Sequence, residues 1–199
     1  ISGETFDREA LSILEIDPSV LPSVSPDISV MGKMGDAFVC CSSGDSQAAL
    51  YGSGATENEM VLNVGTGGQI SCVMKNAVDV DENTEIRPYF ESQYIYTASS
   101  LCGGGAYAAL NEFFRKVLSA FGVEKTPEEI YDTMDTFEKK GEPRPIAVTS
   151  FVGTRKEPFK RGSINNIYAE AFTPDRLTYA ILEGIAEELH PYYEQFLKV

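Results

Sequence analysis

The sequence offers a single histidine, His190. That scarcity removes most Ser-His and Cys-His catalysts and any His-rich metal site. His190 precedes a proline inside a predicted C-terminal helix, which points to a surface or packing role. The four cysteines (Cys40, Cys41, Cys72 and Cys102) form no C-x-x-C pair. Two of them are adjacent, so on a strand they would face opposite ways. They are expected to be reduced, mostly buried thiols of a cytoplasmic protein. No N-x-[ST] acceptor is present, which agrees with that compartment. No apolar run approaches the roughly 20 residues needed to span a bilayer, so no membrane partner is expected. The start, Ile1-Ser2-Gly3-Glu4, is not basic and leads into no apolar stretch, so no signal peptide is expected. Basic residues are short too: 16 Lys and Arg stand against 30 Asp and Glu, a net charge of −14. Binding a phosphate backbone needs clustered Lys and Arg, so nucleic acid is not an expected partner. The acidity is spread over 79–85, 128–135 and 183–188 and reads as solubilising surface charge.

Several sharp motifs are missing. There is no G-x-x-x-x-G-K-[ST] loop. Gly52-Ser53-Gly54 is followed by Glu57 where a dinucleotide fingerprint needs glycine. Asp79, Asp81 and Asn83 begin like a calcium loop, but Thr84 takes the required glycine position, so no metal ligands are assigned. What is present is ordinary globular material: 199 residues, 43% hydrophobic and 23% charged. That is enough for one domain or parts of two, with a real core.

The pattern along the chain alternates strands and helices. Residues 7–14 read as a short helix with Ala10, Leu11 and Leu14 on one face. Residues 16–25 are a turn-rich connection with two X-Pro steps. The apolar run 37–41 reads as a buried strand, and residues 45–51 can be helical. Residues 60–63 and 69–74 read as a hairpin whose tip is Gly65-Thr66-Gly67-Gly68. A strand is expected over 94–99. Gly103-Gly104-Gly105 then opens a helix with Leu110, Phe113, Phe114, Val117, Leu118 and Phe121 as a core stripe. Thr126-Pro127-Glu128-Glu129 is a capped helix start. Thr173-Pro174-Asp175 begins the last helix, with Leu177, Ile181, Ile185, Leu189 and Phe196 on one side. Residues 141–167, rich in Arg, Lys, Gly and Pro, read as irregular. The class is α/β or α+β with mixed sheets, and a domain boundary falls near Asn58.

Three constellations could carry chemistry. Asp45, in Gly44-Asp45-Ser46-Gln47-Ala48-Ala49, sits at a strand-to-helix turn, where the helix dipole favours an ionised carboxylate. Such a group can take a proton from an attacking hydroxyl; it can equally be a helix cap. In Asn63-Val64-Gly65-Thr66-Gly67-Gly68, glycines let backbone N–H groups approach an anion and the threonine adds a donor. An ordinary tight turn has the same composition. Cys102-Gly103-Gly104-Gly105 leaves room either for a ligand at a helix start or for close helix-to-strand packing.

Taken in order, these segments resemble the FGGY carbohydrate kinases. Residues 44–50 resemble that family's Gly-Asp-x-Gln-Ala-Ala segment, and Val64-Gly65-Thr66-Gly67 its Gly-Thr hairpin. Gly103-Gly104 with its helix is similar to the next nucleotide-side segment. Gly153-Thr154-Arg155-Lys156-Glu157-Pro158 with Arg161-Gly162-Ser163 resembles the Gly-Glu-Arg-x-Pro…Arg-Gly stretch. Leu182-Glu183-Gly184-Ile185-Ala186 matches its Leu-Glu-Gly-Ile-Ala helix. Arg87-Pro88-Tyr89-Phe90 and 99–104 look most like the sedoheptulokinase branch.

The resemblance implies the actin-like ATPase (ribonuclease H-like) fold, with substrate and nucleotide in a cleft between two domains. It implies transfer of the ATP γ-phosphoryl group to a sugar or polyol hydroxyl, with Mg²⁺. A ketose such as sedoheptulose is one candidate substrate. Asp45 would be the general base, and Asp45 and Ser46 would meet the substrate, although the family usually has a longer side chain at the Ser46 position. Gly65, Thr66, Gly67 and Gly104 would meet the nucleotide, with Thr66 near the γ-phosphate. The family's N-terminal Asp-x-Gly-Thr loop and its glycine-rich adenosine segment are not found. The expectation is therefore a partial fold: residues 1–58 end a first, sugar-binding domain and 59–199 begin a second, nucleotide-binding one. The chain alone is expected to be inactive as a kinase. A homodimer stays open, as does the alternative of a non-catalytic actin-like module that binds nucleotide or sugar.

Overall fold

The computed structural model describes residues 5–25, 28–57, 59–77, 84–139, 141 and 144–198. The chain start at Ile1-Ser2-Gly3-Glu4, the calcium-loop-like Asp79, Asp81 and Asn83, and the boundary position Asn58 lie outside the described residues. The chain divides into two compact units, Ile1–Val61 with Ser71–Thr97, and Leu62–Ile70 with Ala98–Val199.

The first unit opens with α1 (Arg8–Ile13). Asp7 caps it, accepting from the N–H groups of Glu9 at 2.9 Å and Ala10 at 3.1 Å. β1 (Val30–Met34) and β2 (Ala37–Cys40) follow as an antiparallel ribbon, with Lys33 opposite Phe38. The strand expected at 37–41 is there, but it is not buried: every position of both strands is exposed, and Phe38 is 64% exposed. Local apolarity marks a strand without saying what covers it; β2 pairs with β1 alone among the described residues. α2 (Asp45–Gly52) comes next and buries Leu50.

A four-stranded sheet has the order β3-β4-β6-β5, from β3 (Met60–Val64), β4 (Gly68–Met74), β5 (Thr84–Pro88) and β6 (Tyr94–Ser100). The three-residue link between β3 and β4 permits only an antiparallel hairpin. β4 and β6 hold the two central places and are buried in continuous runs rather than alternately. In the first unit Leu50, Val73 and Ile95 make a core, with Ala55, Val61 and Tyr89 against it. The hydroxyls of Ser71 and Thr97 share a hydrogen bond of 2.8 Å inside it.

The second unit is built on helices α3 (Gly104–Ala120), α4 (Pro127–Asp135) and α5 (Pro174–Phe196). The Thr126 hydroxyl accepts from the Glu129 N–H at 3.3 Å, and Glu129 returns the bond to the Thr126 N–H at 2.9 Å, closing the capping box. On α5 the expected Leu177, Ile181, Ile185, Leu189 and Phe196 are all buried. Each such aliphatic side chain contributes about 1.5–3 kcal/mol on burial. On α3 the stripe differs from expectation. Leu110, Phe114 and Leu118 turn to the core with Ala106, while Phe113, Val117 and Phe121 face out. The small Ala106 sets the inward face one helical turn earlier than the large residues alone suggest. Residues 141–167 are not wholly irregular either: β7 (Ile146–Val148) and β8 (Ser163–Asn165) pair antiparallel there. Three-residue strands fall below what alternation can reveal. α5 packs on β7, and α3 on both α4 and α5.

Of the cysteines, Cys72 and Cys102 are buried, Cys41 is half-buried and Cys40 is exposed; none of the four is joined in a disulfide among the described residues. His190 is exposed on α5, 3.7 Å from Glu194. No described helix is long and apolar enough to cross a membrane.

Candidate active site

Asp45 is the first residue of α2, after Gly44 as N-cap in extended conformation. It is exposed. Its Oδ1 accepts from the Ser46 N–H at 2.7 Å, with the Ser46 hydroxyl 3.4 Å away. Ser46 Oγ in turn accepts from Arg87 Nη1 at 3.1 Å, and Arg87 Nη2 is paired with Glu85 at 2.6 Å. A guanidinium therefore stands one side chain from Asp45. Gln47 folds back over Gly44 and donates to the Pro88 carbonyl at 3.2 Å, which ties the head of α2 to the end of β5. Asp45 and Ser46 are thus held together, and the side chain that sequence reasoning missed is Arg87. It stood out only as part of Arg87-Pro88-Tyr89-Phe90; its bond to Ser46 spans 41 positions and leaves no local trace. A cavity of about 380 Å³ opens beside this turn, lined among others by Ser42, Ser43, Gly44, Gln47, Tyr89 and Phe90.

In the second unit the hairpin tip between β3 and β4 is clasped onto the head of α3. Gly104 N–H donates to the Gly65 carbonyl at 2.7 Å. Gly103 and Gly105 N–H groups both donate to the Thr66 carbonyl, at 3.0 and 2.9 Å. The first donors of α3 are therefore taken by the hairpin backbone. The glycines serve this approach: a Cβ on Gly103 would lie 2.5 Å from the Gly67 carbonyl, and one on Gly104 2.6 Å from the Gly65 oxygen. In a planar trans peptide, C=O and the next N–H point opposite ways. With the Gly65 and Thr66 carbonyls turned to α3, the N–H groups of Thr66 and Gly67 point away from it. Two successive N–H groups directed outward from a tip with Gly65 and Thr66 exposed and Gly67 half-buried are the makings of an anion nest. Gly65, Thr66, Gly67 and Gly104 are thus brought together in one place, in the second unit, while Asp45 and Ser46 belong to the first.

The stretch 153–163 is a turn. Gly153 has φ 85°, Thr154 N–H donates to the Glu157 carbonyl at 3.0 Å, and Arg161 donates to the carbonyls of Pro158 and Lys160 at 2.9 and 2.8 Å. Among the described residues, no group of three His, Cys, Asp or Glu side chains is arranged to hold a metal ion.

No family model matches the chain. Among curated proteins it is similar to the sedoheptulokinase of Homo sapiens, 25% identical over 203 residues, covering 94% of this chain and 42% of that protein. It is also similar to a glycerol kinase of Clostridium botulinum, 27% identical over 208 residues, covering 93% of this chain and 38% of that protein. Among solved structures, the xylulose kinase from Rhodospirillum rubrum matches with a TM-score of 0.79 at 18% identity, over 100% of this chain and 41% of that one. The gluconate kinase from Lactobacillus acidophilus matches with a TM-score of 0.68 at 22% identity, over 91% and 38%. The chain spans about 40% of the length of the relatives it matches. The structural likeness shows the fold, a partial actin-like ATPase fold as the sequence motifs implied.

Proposed function

We propose, from the homology of this chain to the FGGY carbohydrate kinases, that the protein carrying it transfers the ATP γ-phosphoryl group to a hydroxyl of a sugar or polyol. Asp45 is the general base. Its carboxylate takes the proton of the attacking hydroxyl as the O–P bond forms, a role worth about 10²–10⁴ in rate. Ser46 contacts the substrate and, through its bond to Arg87, keeps a positive group near the reacting oxygens. The N–H groups of Thr66 and Gly67, with the Thr66 hydroxyl, hold the nucleotide phosphates, and Gly104 lies beside them. In this reading residues 1–58 complete the sugar-binding side and 59–199 begin the nucleotide-binding side. Mg²⁺, when bound with the nucleotide, neutralises phosphate charge; no residue of the chain is assigned to it. Catalysis is then mostly positioning and electrostatics.

The observation that carries the reading is the hairpin clasped on α3 with two N–H groups turned outward, in a chain whose curated relatives include a sedoheptulokinase and a glycerol kinase. The test is ATP-dependent phosphorylation by the full-length protein across sedoheptulose, xylulose, gluconate and glycerol. Turnover of at least one is expected, with sedoheptulose the first candidate. Nucleotide binding without phosphorylation of any of them would favour a non-catalytic module instead.

A further inference from the structure

Glu188 lies on α5, half-buried, and its two carboxylate oxygens go to the ends of two different strands. Oε1 accepts from the hydroxyl of Ser100, the last residue of β6, at 2.7 Å. Oε2 accepts from the hydroxyl of Thr149, just after β7, at 2.8 Å. Thr149 is 1% exposed, so this end of the carboxylate reaches into the interior. Bonds to an ionised acceptor away from bulk water are among the stronger ones.

The Thr149 hydroxyl has one proton and a second acceptor in reach, the Gly184 carbonyl at 3.3 Å, longer than its bond to Glu188; at Ser100 the direction is fixed. The single proton of the Ser100 hydroxyl goes to Glu188, and its oxygen accepts from the Cys102 N–H at 3.1 Å. That closes the turn leading straight into Gly103. The backbone of Ser100 also faces the hairpin, its carbonyl oxygen 2.6 Å from where a Cβ on Gly67 would stand. Ser100 thus touches the hairpin on one side and sets the path into Gly103–Gly105 on the other. A glutamate present only for solubility would leave its oxygens in water.

We propose that Glu188 is a positioning residue. Through Ser100 and Thr149 it fixes the segment 100–105 against which the Gly65–Gly67 tip is aligned, and so sets the direction of the Thr66 and Gly67 N–H groups toward a nucleotide phosphate. The nucleotide part rests on the kinase reading above; the alignment does not.

The test compares Glu188→Ala, Glu188→Gln and Ser100→Ala in the full-length protein. Amide hydrogen exchange is read at Gly103, Gly104 and Gly105, the donors to the hairpin. ATP affinity is read by calorimetry, and KM is measured separately for ATP and sugar. In Glu188→Ala, exchange at the three amides is expected to quicken about tenfold or more and ATP binding to weaken about tenfold, as for lost hydrogen bonds to a charged group. The sugar KM should stay within about twofold, a split that a general loss of structure would not give. Gln keeps one acceptor and offers an amide donor to the Thr149 oxygen, so it should restore most of both effects. Ser100→Ala removes one arm and should move the same readouts in the same direction, which keeps the test open should Glu188→Ala not fold. Exchange within about twofold of wild type in the alanine variants overturns the proposal. So does faster exchange spread evenly through the second unit. A wild type that binds no nucleotide overturns the kinase reading and leaves the exchange data to decide this one.

Discussion

Cys40 and Cys72 carry the same thiol in opposite surroundings. Cys40 ends an exposed strand, while Cys72 is 5% exposed within β4, and burial pushes its thiol from 9.0 up to about 11. The thiolate is the reactive form, so alkylation of the native protein at pH 8 should modify Cys40 first and leave Cys72 intact until unfolding. Mass spectrometry of peptides after a brief iodoacetamide pulse reads this directly; equal labelling would contradict it. The pH dependence has a definite sign. The folded state holds the Cys72 proton more tightly than the unfolded state does. This contribution to stability is therefore fully present below about pH 9 and is lost as pH rises toward about 11. Denaturant midpoints should fall across that window. The sequence showed four cysteines with no C-x-x-C pair but not which were buried. Adjacent positions on a strand face opposite ways, and the covering of each face is a tertiary matter.

At the scale of elements, the central structure is the hairpin held by three backbone bonds to the head of α3. Gly103→Ala places a methyl 2.5 Å from the Gly67 backbone, which cannot swing aside as a side chain could. A cost of about 1–3 kcal/mol is expected, as for other overpacked sites, together with weaker nucleotide binding. Chemical denaturation of the full-length variant measures it; a cost under about 0.5 kcal/mol would show that the clasp is loose. The glycines were legible as glycines, and both the ligand and the packing reading were open. The structure shows a close backbone contact, across some 37 positions that no local pattern joins. Elements with strong local signals were legible in full: the Thr126 capping box, and the α5 stripe at steps of four and seven. α3 was half legible because its outward face carries Phe113, Val117 and Phe121, as apolar as its inward face. β7 and β8 were missed because three residues each, in a Lys- and Arg-rich stretch, give no local signal: they pair with each other, and β7 packs under α5.

For the molecule as a whole, the proposed chemistry draws on residues of both units. Asp45 belongs to the first and the Gly65–Gly67 tip to the second. The order of the motifs along the chain was what made the resemblance to the kinases readable, since each alone has an ordinary structural explanation. The Asp45–Ser46–Arg87 chain was not readable, because it joins α2 to β5 through side chains far apart in sequence. The most direct measurement is kcat for Asp45→Asn in the full-length protein, with ATP affinity measured alongside. A residue that acts only in proton transfer should lower kcat by about 10²-fold or more while leaving the ATP Kd within about twofold. A kcat equal to that of the wild type would remove Asp45 from the mechanism and with it the central claim.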